Sequence, residues 1–302
     1  MSLSTFIPPL KCQGIKTKLV GEIRRVAEVV PFERWVEPFC GSCVVALNIQ
    51  PKKALLCDSN PHIIRFYQDV QSEVLTPALA KMFLTEEGDR LRHKGEDHYY
   101  EIRDRFNTRP NSLDFLFLNR SCFNGMIRFN RLGKFNVPYC RKDGRFSQSY
   151  VTKIVNQIKR VSKMISTNDW NFVVSDFRAT LSALGEGDLV YADPPYLGRH
   201  VDYYNSWSDP DELDFTDLLK GLRGNFVLST WHSNEFRTNS LIDRAWNNSS
   251  YNMITREHFY HVGPTEERRH PMIEALITNL PIEPAQVQPD GSAQIPLLRA
   301  LV

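Results

Sequence analysis

Short apolar runs alternate with stretches of helical spacing at both ends of the chain, and the rhythm breaks in the middle. Apolar residues at 19, 20, 23, 26, 29 and 30 follow the helical repeat and predict a helix over residues 19–30. Arg34-Trp35-Val36-Glu37 reads as a buried strand, the stretch around Gly41 as a tight turn, and Val44-Val45-Ala46-Leu47-Asn48-Ile49 as a helix. A second strand is predicted over residues 53–57; it ends in Asp58-Ser59-Asn60, and a helix begins near Pro61. After a helix over residues 150–165, strands are predicted at 171–176, 189–193 and 225–230, with helices over 211–222 and 234–245. Residues 251–262 and 272–279 read as two closing antiparallel strands. Strands alternating with helices predict an α/β fold built on a mostly parallel sheet.

Between residues 61 and 165 the alternation is lost, which predicts an insertion. Its first half is polar and helical. In its second half two alternating runs flank Leu132-Gly133 and predict a β-hairpin. Seven basic residues (Arg120, Arg128, Arg131, Lys134, Arg141, Lys142, Arg145) stand there against the single acid Asp143, interleaved with aromatics and amides. Such a cluster suits phosphates and base edges, and a charge-guarded edge strand is the plainer alternative.

Composition narrows the classes. The 302 residues suffice for one large domain or a domain with an insertion, and a net charge of +2 leaves any attraction to a polyanion to local clusters such as this one. The six cysteines (12, 40, 43, 57, 122, 140) lack the spacing of a disulfide scaffold. Neither a membrane-length apolar run nor a secretory leader pattern is present, so a soluble cytoplasmic protein is expected. A tail from Pro281 carries four prolines and a Gly-Ser and is expected to be poorly ordered.

The chemistry gathers at predicted strand ends. The run Asp188 to Ala192 enters Asp193-Pro194-Pro195-Tyr196, where the double proline forbids a helix and leaves a stiff loop. A carboxylate, a rigid carbonyl and an aromatic face suit a flat heterocycle bearing an amino group. The turn around Gly41, a strand-to-helix junction, is placed to aim backbone N–H groups at an anionic ligand group. It has one glycine where a dinucleotide site has three, which disfavours NAD and FAD. Asp58 ends the second strand, where an acid binds ribose hydroxyls or caps the following helix; its position favours the ribose. Cys40 and Cys43 form a lone C-x-x-C with no second pair, a weak zinc signal, and no metal site is expected.

In this order the motifs resemble those of the Dam-type DNA adenine-N6 methyltransferases, over roughly residues 10–280. The resemblance implies a seven-stranded, mostly parallel sheet flanked by helices that binds S-adenosylmethionine, with an inserted DNA-recognition domain of helices and a hairpin. It places Lys11, Cys12, Lys16, Glu37, Phe39, Gly41, Asp58, Asp176, Phe177 and Asp193 at the cofactor. Asp193, Pro194, Pro195 and Tyr196 fall on the catalytic motif. Arg120, Asn124, Arg128, Asn130, Arg131, Lys134 and Asn136 fall in the DNA-reading segment. The implied domains are a catalytic unit of residues 1–60 and 166–280, an insertion of 61–165 and a tail of 281–302. The implied partner is double-stranded DNA, with a cognate restriction endonuclease as a further one, and the implied state is a monomer or weak dimer.

Three positions depart from the family pattern: Cys12 stands for tryptophan, Ile15 for glycine and Cys43 for the second glycine of the cofactor turn. A side chain at 43 is expected to limit backbone approach to the cofactor. The competing readings are the same fold acting on another amino group (N4-cytosine, RNA or protein) and a DNA-binding protein with a decayed cofactor site.

Overall fold

The computed structural model describes residues 4–196, 207–259 and 271–282. Seven strands form one sheet in the order β3-β2-β1-β4-β5-β7-β6. They are β1 (Arg34–Glu37), β2 (Lys53–Asp58), β3 (Asp169–Val174), β4 (Asp188–Ala192), β5 (Asn225–Asn234), β6 (Asn252–Phe259) and β7 (Pro271–Thr278). The first five pair in parallel, and β7 enters antiparallel between β5 and β6. Strand β4 is buried along its whole length, as a central parallel strand covered on both faces must be. Chain order reverses between β1 and β4, which opens a crevice beyond their carboxyl ends.

Helices cover both faces. On one lie α1 (Val20–Ala27), α2 (Val44–Ile49), α3 (Pro61–Gln71) and α7 (Gln148–Ser166); on the other lie α8 (Phe177–Ser182) and α9 (Asp209–Lys220). Helix α3 starts at a local signal, Asn60 accepting from the His62 N–H with Pro61 in the first turn. It docks through Tyr67 stacked on Phe172 at 5.2 Å and through Gln68 and Gln71, which donate to carbonyls of β3. The excursion away from the sheet therefore starts later than the lost alternation at residue 61. It comprises α4 (Pro77–Lys94), α5 (Glu96–Thr108), α6 (Ser112–Ser121) and the loop that follows. One continuous apolar core joins it to the sheet layer. A buried polar network lies within it: the His98 ring bonds Glu87 and Glu101, and Arg105 donates to Glu87 and Asp114.

Two predicted elements differ. The hairpin around Gly133 is a bridged loop with single pairings at Phe129–Phe135 and Cys122–Tyr139, not two regular strands. Side chains take over backbone pairing there: Asn107 receives the Phe135 N–H, and Asn130 receives those of Leu132 and Lys134. The helix predicted over residues 234–245 forms only at its end. Strand β5 runs on to Asn234, whose side chain accepts from the N–H groups of Phe236 and Arg237 and turns the chain, leaving one wide helical turn at Ile242–Trp246. The expected closing strand at 251–262 extends beyond the described residues after Phe259, and the tail lies outside them from residue 283. Among the described residues no helix is long and apolar enough to cross a membrane.

The amino-terminal segment has no regular structure and is fixed by side chains. Asn48 accepts from the Phe6 N–H at 2.7 Å and donates to the Phe6 and Val44 carbonyls, while Gln157 donates to Ile7 and Arg120 to Pro9. Asn48→Ala leaves three buried backbone groups without this partner and should lower the unfolding free energy by about 2–3 kcal/mol. Urea denaturation measures it, and a loss under about 0.5 kcal/mol would mean that those groups find other partners.

Candidate active site

The crevice beyond β1 and β4 holds a cavity of about 500 Å³. It is within the size range of small-molecule and cofactor sites. Three chain ends build it. The turn after β1 brings Glu37, Phe39 and Gly41; the end of β2 brings Asp58; the loop after β4 brings Asp193, Pro194, Pro195 and Tyr196. Residues 12–16 close one side, with Asp176 and Phe177 from the end of β3 on another.

At its centre Lys16, only 5% exposed, holds both oxygens of Asp193 at 2.9 Å and donates to the Gly14 carbonyl at 2.8 Å. The Lys16 ammonium also stands 5.2 Å from the Tyr196 ring centroid. Burial pushes the Asp193 carboxyl up to about 6, and Lys16 opposes that rise by charge and hydrogen bonding. Glu37 is buried beneath, accepts from the Trp35 Nε1–H at 2.8 Å and is pushed up to about 8 by burial. Burial thus favours the protonated form of Glu37, while Lys16 favours the ionised form of Asp193.

Asp58 braces the backbone of the turn. Its two oxygens accept from the Gly41 N–H at 2.9 Å and the Asn60 N–H at 2.8 Å. Burial still raises its carboxyl to about 6. Gly41 has φ +48, which glycine adopts without strain, and Tyr67 ties the turn from behind through the Ser42 carbonyl at 2.5 Å. Asp176 caps α8 through the Arg178 N–H at 2.8 Å and is exposed at the cavity rim. Phe39, Phe177 and Trp207 pack with centroids 5.2–5.7 Å apart and give one end an aromatic wall.

Of the residues expected at the cofactor, all but Lys11 line this cavity. Lys11 instead packs on Gly125, and burial together with Arg145 and Arg120 holds its amine down at about 8. The departure at Cys43 has a different consequence from the expected one. Its backbone is left-handed (φ 54), but its side chain is fully buried beside Tyr67, outside the cavity lining, so it does not narrow the site. Cys12 and Ile15 do line it. Tyr191, Trp207, Ile63 and Ile127 also line it and were not among the expected residues. Tyr191 is accessible to pattern reading, since it lies two residues before Asp193 on the same strand face. Ile127, from the segment expected to read DNA, carries no such signal.

The seven expected DNA residues separate. Arg120 is 3% exposed, donates to the Pro9 carbonyl and packs over Tyr150, so it faces the interior. Helix α6 is buried nearly all round, so the position of Arg120 at its end does not make it a surface residue. Arg128 donates to the side chain and carbonyl of Asn136 at 2.8 and 3.1 Å. Asn130 builds the loop tip, while Asn124, Arg131 and Lys134 are exposed.

Donor chemistry fits S-adenosylmethionine. Ribose hydroxyls find the carboxylate of Asp58, an exocyclic amino group that of Asp176 and a flat base the aromatic wall, and the volume is adequate. The family profile described as D12 class N6 adenine-specific DNA methyltransferase matches residues 13–262. The chain is 31% identical over 219 residues to the retron Ec67 DNA adenine methylase of Escherichia coli, covering 70% of this chain and 71% of that protein. It is 30% identical over 233 residues to the type II methyltransferase M.MjaIII of Methanocaldococcus jannaschii, covering 70% and 75%. It is also 28% identical over 285 residues to the modification methylase StsI of Streptococcus sanguinis, covering 90% of this chain but 42% of that longer protein.

Proposed function

Given that the chain belongs to the D12 class of N6 adenine-specific DNA methyltransferases, we propose that it transfers methyl groups at the crevice beyond β1 and β4, with Asp193 to Tyr196 as the acceptor-binding motif. The observation that carries this reading is the partly buried Asp193 carboxylate paired with the buried Lys16 within a cavity walled by Pro194, Pro195 and Tyr196. Its substrate is adenine in DNA. Bound S-adenosylmethionine would supply an electrophilic methyl group on a sulfonium.

Adenine N6 is a poor nucleophile because its lone pair is delocalised into the ring. Asp193 and the Pro194 carbonyl accept hydrogen bonds from the amino group, which localises and aims that pair. As positive charge builds on nitrogen, a fixed carboxylate is already beside it, so little reorganisation is needed. Tyr196 supplies a flat face for the base. A base stacked within a duplex cannot reach such a crevice, so the adenine enters flipped out. Toward the cofactor, Asp58 takes the ribose, Asp176 and Phe177 the adenine end, and Glu37, Phe39, Gly41, Cys12 and Lys16 the amino-acid end. Glu37, which burial inclines toward its protonated form, can then donate a hydrogen bond there.

Within the segment expected as an insertion (61–165), the excursion from α4 to the loop after α6 reads DNA. Arg131 and Lys134 at the exposed tip suit phosphates, and Arg128, held in place by Asn136, is preorganised for a base edge. Asn124 is exposed in the turn that precedes this loop, Asn130 shapes its tip, and Arg120 supports it from inside. A cognate restriction endonuclease is part of the proposal; DNA methylated by this chain would then resist that enzyme.

Modification-sensitive long-read sequencing of DNA from a methylation-free host expressing the chain tests the whole reading. The expected result is N6-methyladenine in one short motif. Its absence from a well-expressed, folded protein would overturn the reading, and N4-methylcytosine would transfer it to the neighbouring chemistry.

A further inference from the structure

One buried amide joins the cofactor side of the crevice to the DNA-reading side. Asn119, in the last turn of α6, is fully buried. Its Oδ1 accepts from the Lys11 N–H at 2.8 Å, and its Nδ2 donates to the Lys11 carbonyl at 2.8 Å and the Gly125 carbonyl at 3.2 Å. Lys11 begins the segment whose far end sets Lys16 on Asp193. Gly125 ends the turn that exposes Phe123 and Asn124, two residues before the cavity-lining Ile127 and three before Arg128. The two segments also touch directly: a β-carbon at Gly125, where φ is +67, would stand 2.4 and 2.8 Å from Lys11 carbons. Only a primary amide at 119 can receive one N–H and donate to two carbonyls. An aspartate of the same size would face both carbonyls with no proton to offer.

We propose that Asn119 is a positioning residue through which DNA docking on the loop at 123–136 and occupation of the crevice act on each other. The inference rests on the reading of the crevice given above. A displacement of the turn at Gly125 is passed through the amide to residue 11 and, five residues on, to Lys16. Coupling of this kind is reciprocal, so DNA and the cofactor's product, S-adenosylhomocysteine, tighten each other's binding by one common factor.

Calorimetry of S-adenosylhomocysteine, with and without a duplex carrying the sequenced motif, measures that factor. It should be about 5-fold or more in the unaltered protein, within the usual range of such couplings. In Asn119→Asp it should fall below about 2-fold, with binary affinity for S-adenosylhomocysteine within about threefold. Gly125→Ala leaves Asn119 intact and separates the same two segments, so it should lose the coupling as well; it decides the matter if Asn119→Asp fails to fold. A purely structural amide would lower thermal stability and leave the factor unchanged. Binding without coupling in the unaltered protein, or full coupling in either folded variant, overturns the inference alone. No binding of S-adenosylhomocysteine to the unaltered protein overturns the reading of the crevice, and this inference with it.

Discussion

Asp193→Asn should lower the methylation rate by about 10²–10³-fold while DNA affinity stays within about threefold, in line with the loss of one preorganised electrostatic contact. The substitution keeps the size and one acceptor oxygen but removes the charge that, on the proposed reading, faces the developing positive nitrogen. It also presents an amide N–H₂ to the Lys16 ammonium, so the carboxyl position loses its present partner geometry. Ground-state binding of DNA depends on other residues and should barely move, which separates a transition-state contact from uniform binding. Single-turnover transfer of labelled methyl groups, set beside a DNA-binding titration, gives both quantities. A variant that keeps more than about a tenth of the original rate would remove Asp193 from the centre of the mechanism. The unaltered enzyme should also lose kcat/KM as pH falls through about 6, the value to which burial raises the Asp193 carboxyl, because only the ionised form stabilises the cationic nitrogen.

Lys16→Met should move that acid limb upward by about 1–3 pH units, the usual influence of an opposite charge in direct contact. Lys16 is the group that lowers the Asp193 carboxyl against burial, so its removal raises the folded value further and protonates more of Asp193 at pH 7. The sign is fixed: activity at pH 7 falls, and it recovers as pH rises toward 9. The other titratable groups acting on Asp193 are Glu37 on β1, Tyr191 on β4 and Glu274 on β7; none is cationic at neutral pH, so none replaces the lost charge. A profile of kcat/KM for DNA between pH 5 and 9, at saturating cofactor, reads the displacement. A uniform loss at every pH, with the limb in place, would mean that Lys16 serves the cofactor and not Asp193.

The sheet is legible in the sequence because its signals are local. Residues 188–192 form an unbroken run before two prolines, and that alone ends a central strand at Asp193. Asp58 and Gly41 are legible as strand-end and turn residues, and the structure joins them by a hydrogen bond. Residues 234–245 mislead because helical spacing there is outweighed by the Asn234 side chain, which turns the chain and leaves only a short helical turn at the end of the range. The loop at 129–135 misleads in a smaller way, since amide side chains, one of them from outside the run, replace the strand pairing. Arg120 sits inside because a carbonyl at Pro9 and the Tyr150 ring provide it a buried partner set, which the charge of the residue does not announce.

Sequence by itself determined the class of fold, the chain ends that carry chemistry and the family, since each depends on residues adjacent in the chain. Tertiary structure alone decided that Lys16 reaches Asp193 across 177 positions, that Asn119 fastens residue 11 across 108, and that Ile127 of the loop after α6 walls the cavity beyond β1 and β4. The reason is physical: a strand or turn follows from neighbouring dihedral preferences and apolar spacing, whereas a buried ion pair or amide clamp exists only once the packed core has brought distant backbone together and excluded water from it.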